Sequence, residues 1–137
     1  MKKIQFARKI SAFTFKEMLF TLMIIGALLL IASPNFMPLI SKTKAQEAKI
    51  QLKHLFNLQE QYRYVNSKYA SEFNEIDFEV PKTIQADGTA NYRYEILSSS
   101  ITSFKARAEA IVDFDGDGVF NVWEIDETGK PIEIVKD

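Results

Sequence analysis

From Met18 to Met37 the chain reads MLFTLMIIGALLLIASPNFM and carries no charge. At about 1.5 Å per residue such a run spans roughly 30 Å, the hydrocarbon thickness of a bilayer. It is longer than the roughly 7–15 apolar residues of an ordinary secretory signal, and no Ala-x-Ala site follows it. Further on, Ala48, Leu52, Leu55, Leu58 and Tyr62 recur at helical spacing, and Phe56 widens the stripe. Lys42, Lys44, Glu47, Lys49 and Lys53 supply the polar side. The pattern predicts one helix from about Thr14 to about Val65, bent at Pro34 and at Pro38, because each proline removes a hydrogen bond and crowds the preceding turn.

After Tyr69 the period shortens. Ile76, Phe78 and Val80 alternate briefly, and Pro81 and Asp87-Gly88 are turn signals. Tyr92, Tyr94 and Ile96 alternate with Arg93 and Glu95 as in a half-buried strand. Phe104, Ala106, Ala108, Ala110 and Val112 alternate with Lys105, Arg107 and Glu109. Val119–Ile125 and Ile132–Val135 complete four strands, with Thr128-Gly129-Lys130 turning between the last two. The predicted fold class is α+β: a long N-terminal helix, half transmembrane and half amphipathic, packed on a small antiparallel sheet.

The chain has 137 residues, room for one modest domain. The absence of cysteine excludes a disulfide framework, a thiolate metal site and a cysteine lipid anchor. A net charge of −1 leaves no global basic field for nucleic acid. The charge is unevenly placed. Lys2, Lys3, Arg8 and Lys9 precede the apolar run with no acid among them, which marks the cytoplasmic side of an insertion event. Without that leader, acids are in excess. A single histidine, no nucleophile–base pair and no phosphate loop argue against an enzyme.

Lys16 and Glu17 stand at the mouth of the apolar run. Lys16 can snorkel to the interface, whereas a carboxylate within a bilayer costs about 2.5–3.5 kcal/mol at the centre and calls for a partner. The stretch Ser11-Ala12-Phe13-Thr14-Phe15-Lys16-Glu17-Met18-Leu19 resembles the processing site of type IV prepilins and type II secretion pseudopilins. The resemblance covers Ile10 to about Tyr64, and the head in outline. It implies cleavage between Ala12 and Phe13 by a prepilin peptidase and N-methylation of Phe13. It makes Glu17 the fifth mature residue and puts Pro34 where the family has a helix-kinking proline. Two departures stand out: Ala12 replaces the usual glycine, and Phe15-Lys16 replaces an apolar pair. In a filament so built, Glu17 of one subunit would neutralise the Phe13 amine of its neighbour, since paired buried charges cost far less than separate ones.

Asp113-Phe-Asp-Gly-Asp-Gly-Val-Phe-Asn-Val-Trp-Glu124 matches the twelve-residue calcium loop of EF-hands. Asp113, Asp115 and Asp117 take the first, third and fifth places, Gly118 the sixth, the Val119 carbonyl the seventh, Asn121 the ninth and Glu124 the twelfth. The residues before Asp113 alternate like a strand, so the setting is strand-loop-strand, and Asp126 is an alternative to Glu124. Pseudopilins and some pilins similarly carry calcium in a head loop. Trp123 reads as core, and His54 as a solvated or packed side chain.

These readings lead to three expected parts: a leader over 1–12, a transmembrane and assembly helix over 13–37, and a periplasmic or extracellular head over 38–137 with a structural calcium site. The expected protein is a filament subunit of the type IV pilus kind, serving adhesion, motility or DNA uptake. Its partners would be other copies or homologous pilins, the prepilin peptidase and an inner-membrane assembly platform. It would cross the inner membrane once, N-terminus in the cytoplasm, before assembly. The alternatives are a type II secretion pseudopilin in a periplasmic pseudopilus, and a membrane-anchored calcium-binding module that does not polymerise.

Overall fold

The structure, a computed structural model, describes residues 13–32 and 37–137. The expected leader, Ala12 and Pro34 lie outside the described residues. The described residues belong to two compact units, one containing the first helix and the other running from the second helix to Asp137.

The first unit contains α1, Phe15–Ile31. It ends where Ala32 donates its backbone N–H to Leu28. Its side chains are exposed throughout. The single helix expected from Thr14 to Val65 is thus described as two, since α2 spans Met37–Asn66. The expected span Met18–Met37 is not shown, and its residues 33–36 lie outside the described residues. Among the described residues no helix is long and apolar enough to cross a membrane. At 17 residues, α1 reaches about 25 Å, about a turn short of the roughly 20 residues a bilayer requires.

In the second unit α2 lies on a four-stranded antiparallel sheet of order β1-β2-β3-β4: Tyr92–Ser99, Phe104–Ala110, Val122–Asp126 and Ile132–Val135. The helix buries Ala45, Ala48, Leu52, Leu55 and Gln59 at spacings of three and four. Opposite them stand Tyr92 and Tyr94 of β1, Phe104, Ala106, Ala108 and Ala110 of β2, and Trp123 and Ile125 of β3. The alanines of β2 leave room for the leucines of the helix. No strand forms at 76–80. Instead a short 3₁₀ turn, Phe73–Glu75, precedes Ile76 and Phe78, which drop into the core while Val80 stays exposed.

Gln59 joins the core as a polar member. Its amide donates to the Ala70 carbonyl at 3.0 Å and accepts from the Ala70 N–H at 2.8 Å, so the chain leaving α2 is pinned to the helix. Gly129, at φ +71°, turns the chain between β3 and β4, and a Cβ there would lie 2.7 Å from the Phe56 ring. The outer face of the sheet is a charge ladder: Arg93 with Glu109 at 2.8 Å, and Arg107 with Glu95 at 3.6 Å and Glu124 at 2.8 Å. Cross-strand opposite charges suit a face left to water.

Two outcomes are expected. Gln59→Ala should destabilise the second unit by about 1–3 kcal/mol for each Ala70 group it orphans, measured by urea unfolding. Burial, then the charge of Glu47, raises the phenols of Tyr92 and Tyr94 above their ordinary value. The unfolded chain releases those protons first, so stability should be full below about pH 10 and fall above it, as base titration of unfolding would record.

Candidate functional site

At its N-terminus α1 is closed by a capping box. Thr14 has extended backbone dihedrals, its hydroxyl accepts from the Glu17 N–H, and the Glu17 carboxylate accepts from the Thr14 N–H at 2.7 Å and hydroxyl at 3.0 Å. Reciprocal bonding of this kind satisfies donors that a helix start leaves open. The carboxylate that the sequence offers to a neighbouring chain is therefore bonded in this chain to its own N-cap. Phe13, just before the cap, is exposed.

The second site is the acidic loop between β2 and β3. Asp113 gathers its start: Oδ1 accepts from the Gly116 N–H and Oδ2 from the Gly118 N–H, both at 2.6 Å. Asp115 accepts from the Asp117 N–H at 3.1 Å, and Asp117 from the Val119 N–H at 2.7 Å. The tight path runs through Gly116 and Gly118, both at φ +85°, where a side chain would be strained. The Gly118 and Gly116 N–H groups hold Asp113 below the usual carboxylate range. Asp115 is pushed up, by desolvation and by the like charges of Asp117, Asp137 and Asp113.

Asp137 is the residue the sequence reading missed. The β3–β4 hairpin pairs Val122 with Val135 and so returns the chain to the mouth of the loop. There Asp137 accepts from the Phe114 N–H at 2.8 Å through Oδ2, and from the Ser41 hydroxyl at 3.1 Å through its carbonyl. Carboxylate oxygens of Asp113, Asp115, Asp117 and Asp137 lie within 4.8 Å of one another. The other Asp137 oxygen, Oδ1, is buried and has no hydrogen-bond partner.

Three of the expected ligands are placed elsewhere. Asn121 is buried: its Oδ1 accepts from the Tyr92 hydroxyl at 2.7 Å and from the Trp123 indole, and its amide donates to Glu133 at 2.8 Å and to the Val135 carbonyl at 3.0 Å. Glu124 faces outward, bonded to Arg107 at 2.8 Å with Lys105 at 3.7 Å. Asp126 holds the next turn by accepting from the Thr128 N–H at 2.9 Å. The reason is periodicity. An EF-hand loop exits into a helix, but this one exits into β3, whose alternation sends residues 121, 123 and 125 inward and 122, 124 and 126 outward. Trp123 is core as expected, with the Lys49 ammonium 4.4 Å from its ring centroid. His54 is exposed against Phe78.

No family model matches the chain. The chain is similar to the type IV major pilin protein PilA of Myxococcus xanthus (strain DK1622), 35% identical over 78 residues. Those residues are 57% of this chain and 36% of that protein, so the chain spans little more than a third of the relative's length.

Asn121→Ala should destabilise the second unit by about 1–3 kcal/mol or more, because it strips partners from buried Tyr92 and Trp123. Thermal unfolding in the presence of a chelator would measure this free of any metal effect.

Proposed function

We propose, from the chain's kinship with the type IV pilins, that it is a structural subunit of a pilus-like filament and not an enzyme. The observation that supports the reading is the combination, in one chain, of an apolar helix charged only at Lys16 and Glu17 in its first turn and a helix-on-sheet head. The helix has no use for its exposed side chains except burial against lipid or against other copies. Before assembly the uncharged run would lie in the inner membrane with the basic leader in the cytoplasm. A prepilin peptidase would then cut between Ala12 and Phe13. On polymerisation the Glu17 carboxylate would exchange its Thr14 bonds for the Phe13 amine of a neighbour, which fixes subunit register.

Calcium fits the acidic loop. Three aspartates on alternate positions repel one another, and Asp137 adds a buried oxygen that lacks a partner. Hard cations take several such oxygens. The proposed ligand set is Asp113, Asp115, Asp117 and Asp137, and a bound ion would tie the loop to the strand after the hairpin. The same loop also supports a second reading, a type II secretion pseudopilin, which would polymerise in the periplasm instead of outside the cell.

Mature protein from cells should begin at Phe13 and carry one extra methyl group by intact mass. Glu17→Ala should still be produced but yield no sedimentable polymer, and normal filaments from that variant would remove Glu17 from its role. Calcium should raise the melting temperature of the protein, by about 2.7 kcal/mol of stability at a hundredfold excess over Kd. Asp115→Ala and Asp137→Ala should abolish the shift, and Glu124→Gln should keep it. A wild-type protein indifferent to calcium and chelator would retire the metal site.

A further inference from the structure

An acidic groove and a lysine-lined depression lie on opposite sides of the head sheet. At the β1 edge lies a groove of about 750 Å³, whose lining includes Phe73, Phe78 and Val80 together with Glu72, Asp77 and Glu79. Asp77 and Glu79 have no partner among the described residues. Tyr94, also in the lining, is 5% exposed, and its hydroxyl is buried without a hydrogen-bond partner.

Between α2 and the β3–β4 turn lies a lysine-lined depression. Lys49, Lys53 and Lys130 line it with Trp123 and Gly129. Lys53 donates to the Gly129 carbonyl at 3.0 Å, and Lys49 covers Trp123, so Lys130 is the ammonium there without a partner among the described residues. Two acids of the same turn are occupied, Glu124 by Arg107 and Asp126 by Thr128, which leaves Glu127 as its acid without a partner among the described residues. The register aligns the two sides. Ile96 of the groove pairs with Ala106, Ala106 with Ile125, and neighbouring Glu124 with Ile132, so Lys130 stands level with the groove across the sheet.

We infer that heads of neighbouring copies dock side to side, with Lys130 of one copy entering the β1-edge groove of the next. A lysine suits the lining: its stem lies on the aromatic and aliphatic wall, and its ammonium reaches the carboxylates. Opposite charges on opposite sides cannot be satisfied by a two-fold contact. They demand a head-to-tail one, which repeats without end unless it closes into a ring. This contact rests on the filament reading and adds to it the surface by which heads meet.

The absence of native cysteine makes the test clean. Full-length Asp77→Cys/Lys130→Cys, oxidised in cells, should give a ladder of dimers, trimers and longer species, while each single variant stays monomeric on a non-reducing gel. Asp77→Lys/Glu79→Lys should lower sedimentable polymer at least tenfold, and adding Lys130→Glu should restore it. A cross-link from Asp77→Cys alone would indicate a two-fold contact and overturn the inference. So would wild-type polymer accompanied by no ladder and an unaffected charge-reversed variant, and in that case the filament reading survives. Wild-type protein that forms neither polymer nor ladder would sink both.

Discussion

The head depends on the seating of α2 in the inner face of the sheet. Ala106, Ala108 and Ala110 of β2 make a shallow bed, and Leu52 and Leu55 fill it. Tyr92, Tyr94, Phe104 and Trp123 close the sides. Because the protein has no disulfide, this interdigitation and its hydrogen-bonded outliers hold the fold. Gln59 fastens one end of the helix to Ala70, and Glu47 reaches Asn91 near its other half. Asn121 locks β1, β3 and β4 together through Tyr92, Trp123, Glu133 and Val135. A buried polar network is stable only when every member is satisfied, and this one nearly is. Its near neighbour, the Asp137 oxygen without a partner, sits where the acidic loop could supply a cation.

The distribution of charge follows from that seating. The outer face of the sheet pairs its charges within the chain, so it has little left to offer a partner. Beside the acidic loop, charge left over from that face includes Asp77 and Glu79 beside β1 and Lys130 in the β3–β4 turn. On α2 the same division appears: Lys49 and Lys53 point to the hairpin side, while Glu47 and His54 meet Asn91 and Phe78. An apolar rod gives adhesion without direction. Charges on the sides of the head would give direction with little adhesion, since exposed ion pairs contribute only about 0.2–1 kcal/mol each.

Much of the architecture was legible in the chain itself. The strand beginning at Phe104 and the one at Ile132 lie where alternation placed them, and the helical stripe from Ala48 to Leu55 is buried. The family resemblance at Ser11–Leu19 agrees with the similarity to a type IV major pilin. Two features escaped for stated reasons. The burial of Gln59 was not anticipated, because polarity hides burial when a backbone partner waits across a turn. Ile76–Val80 alternates over too short a stretch to distinguish a strand from a 3₁₀ turn with two anchors.

The acidic loop marks the boundary between the two kinds of information. Sequence alone determined the helix-on-sheet class, the apolar rod with Glu17 at its mouth, and the Asp-Gly spacing that folds residues 113–119 into a tight acidic turn. Each of these is local, set by periodicity, composition or the freedom of glycine. Only the tertiary structure decided which carboxylates meet. Glu124 went to Arg107 because β3 alternates with a period of two, and Asp137 arrived because a hairpin brought the chain back from far along the sequence. Contacts made by chain reversal leave no mark in local spacing, so the carboxylate that completes the cluster could be found only once the strands were paired.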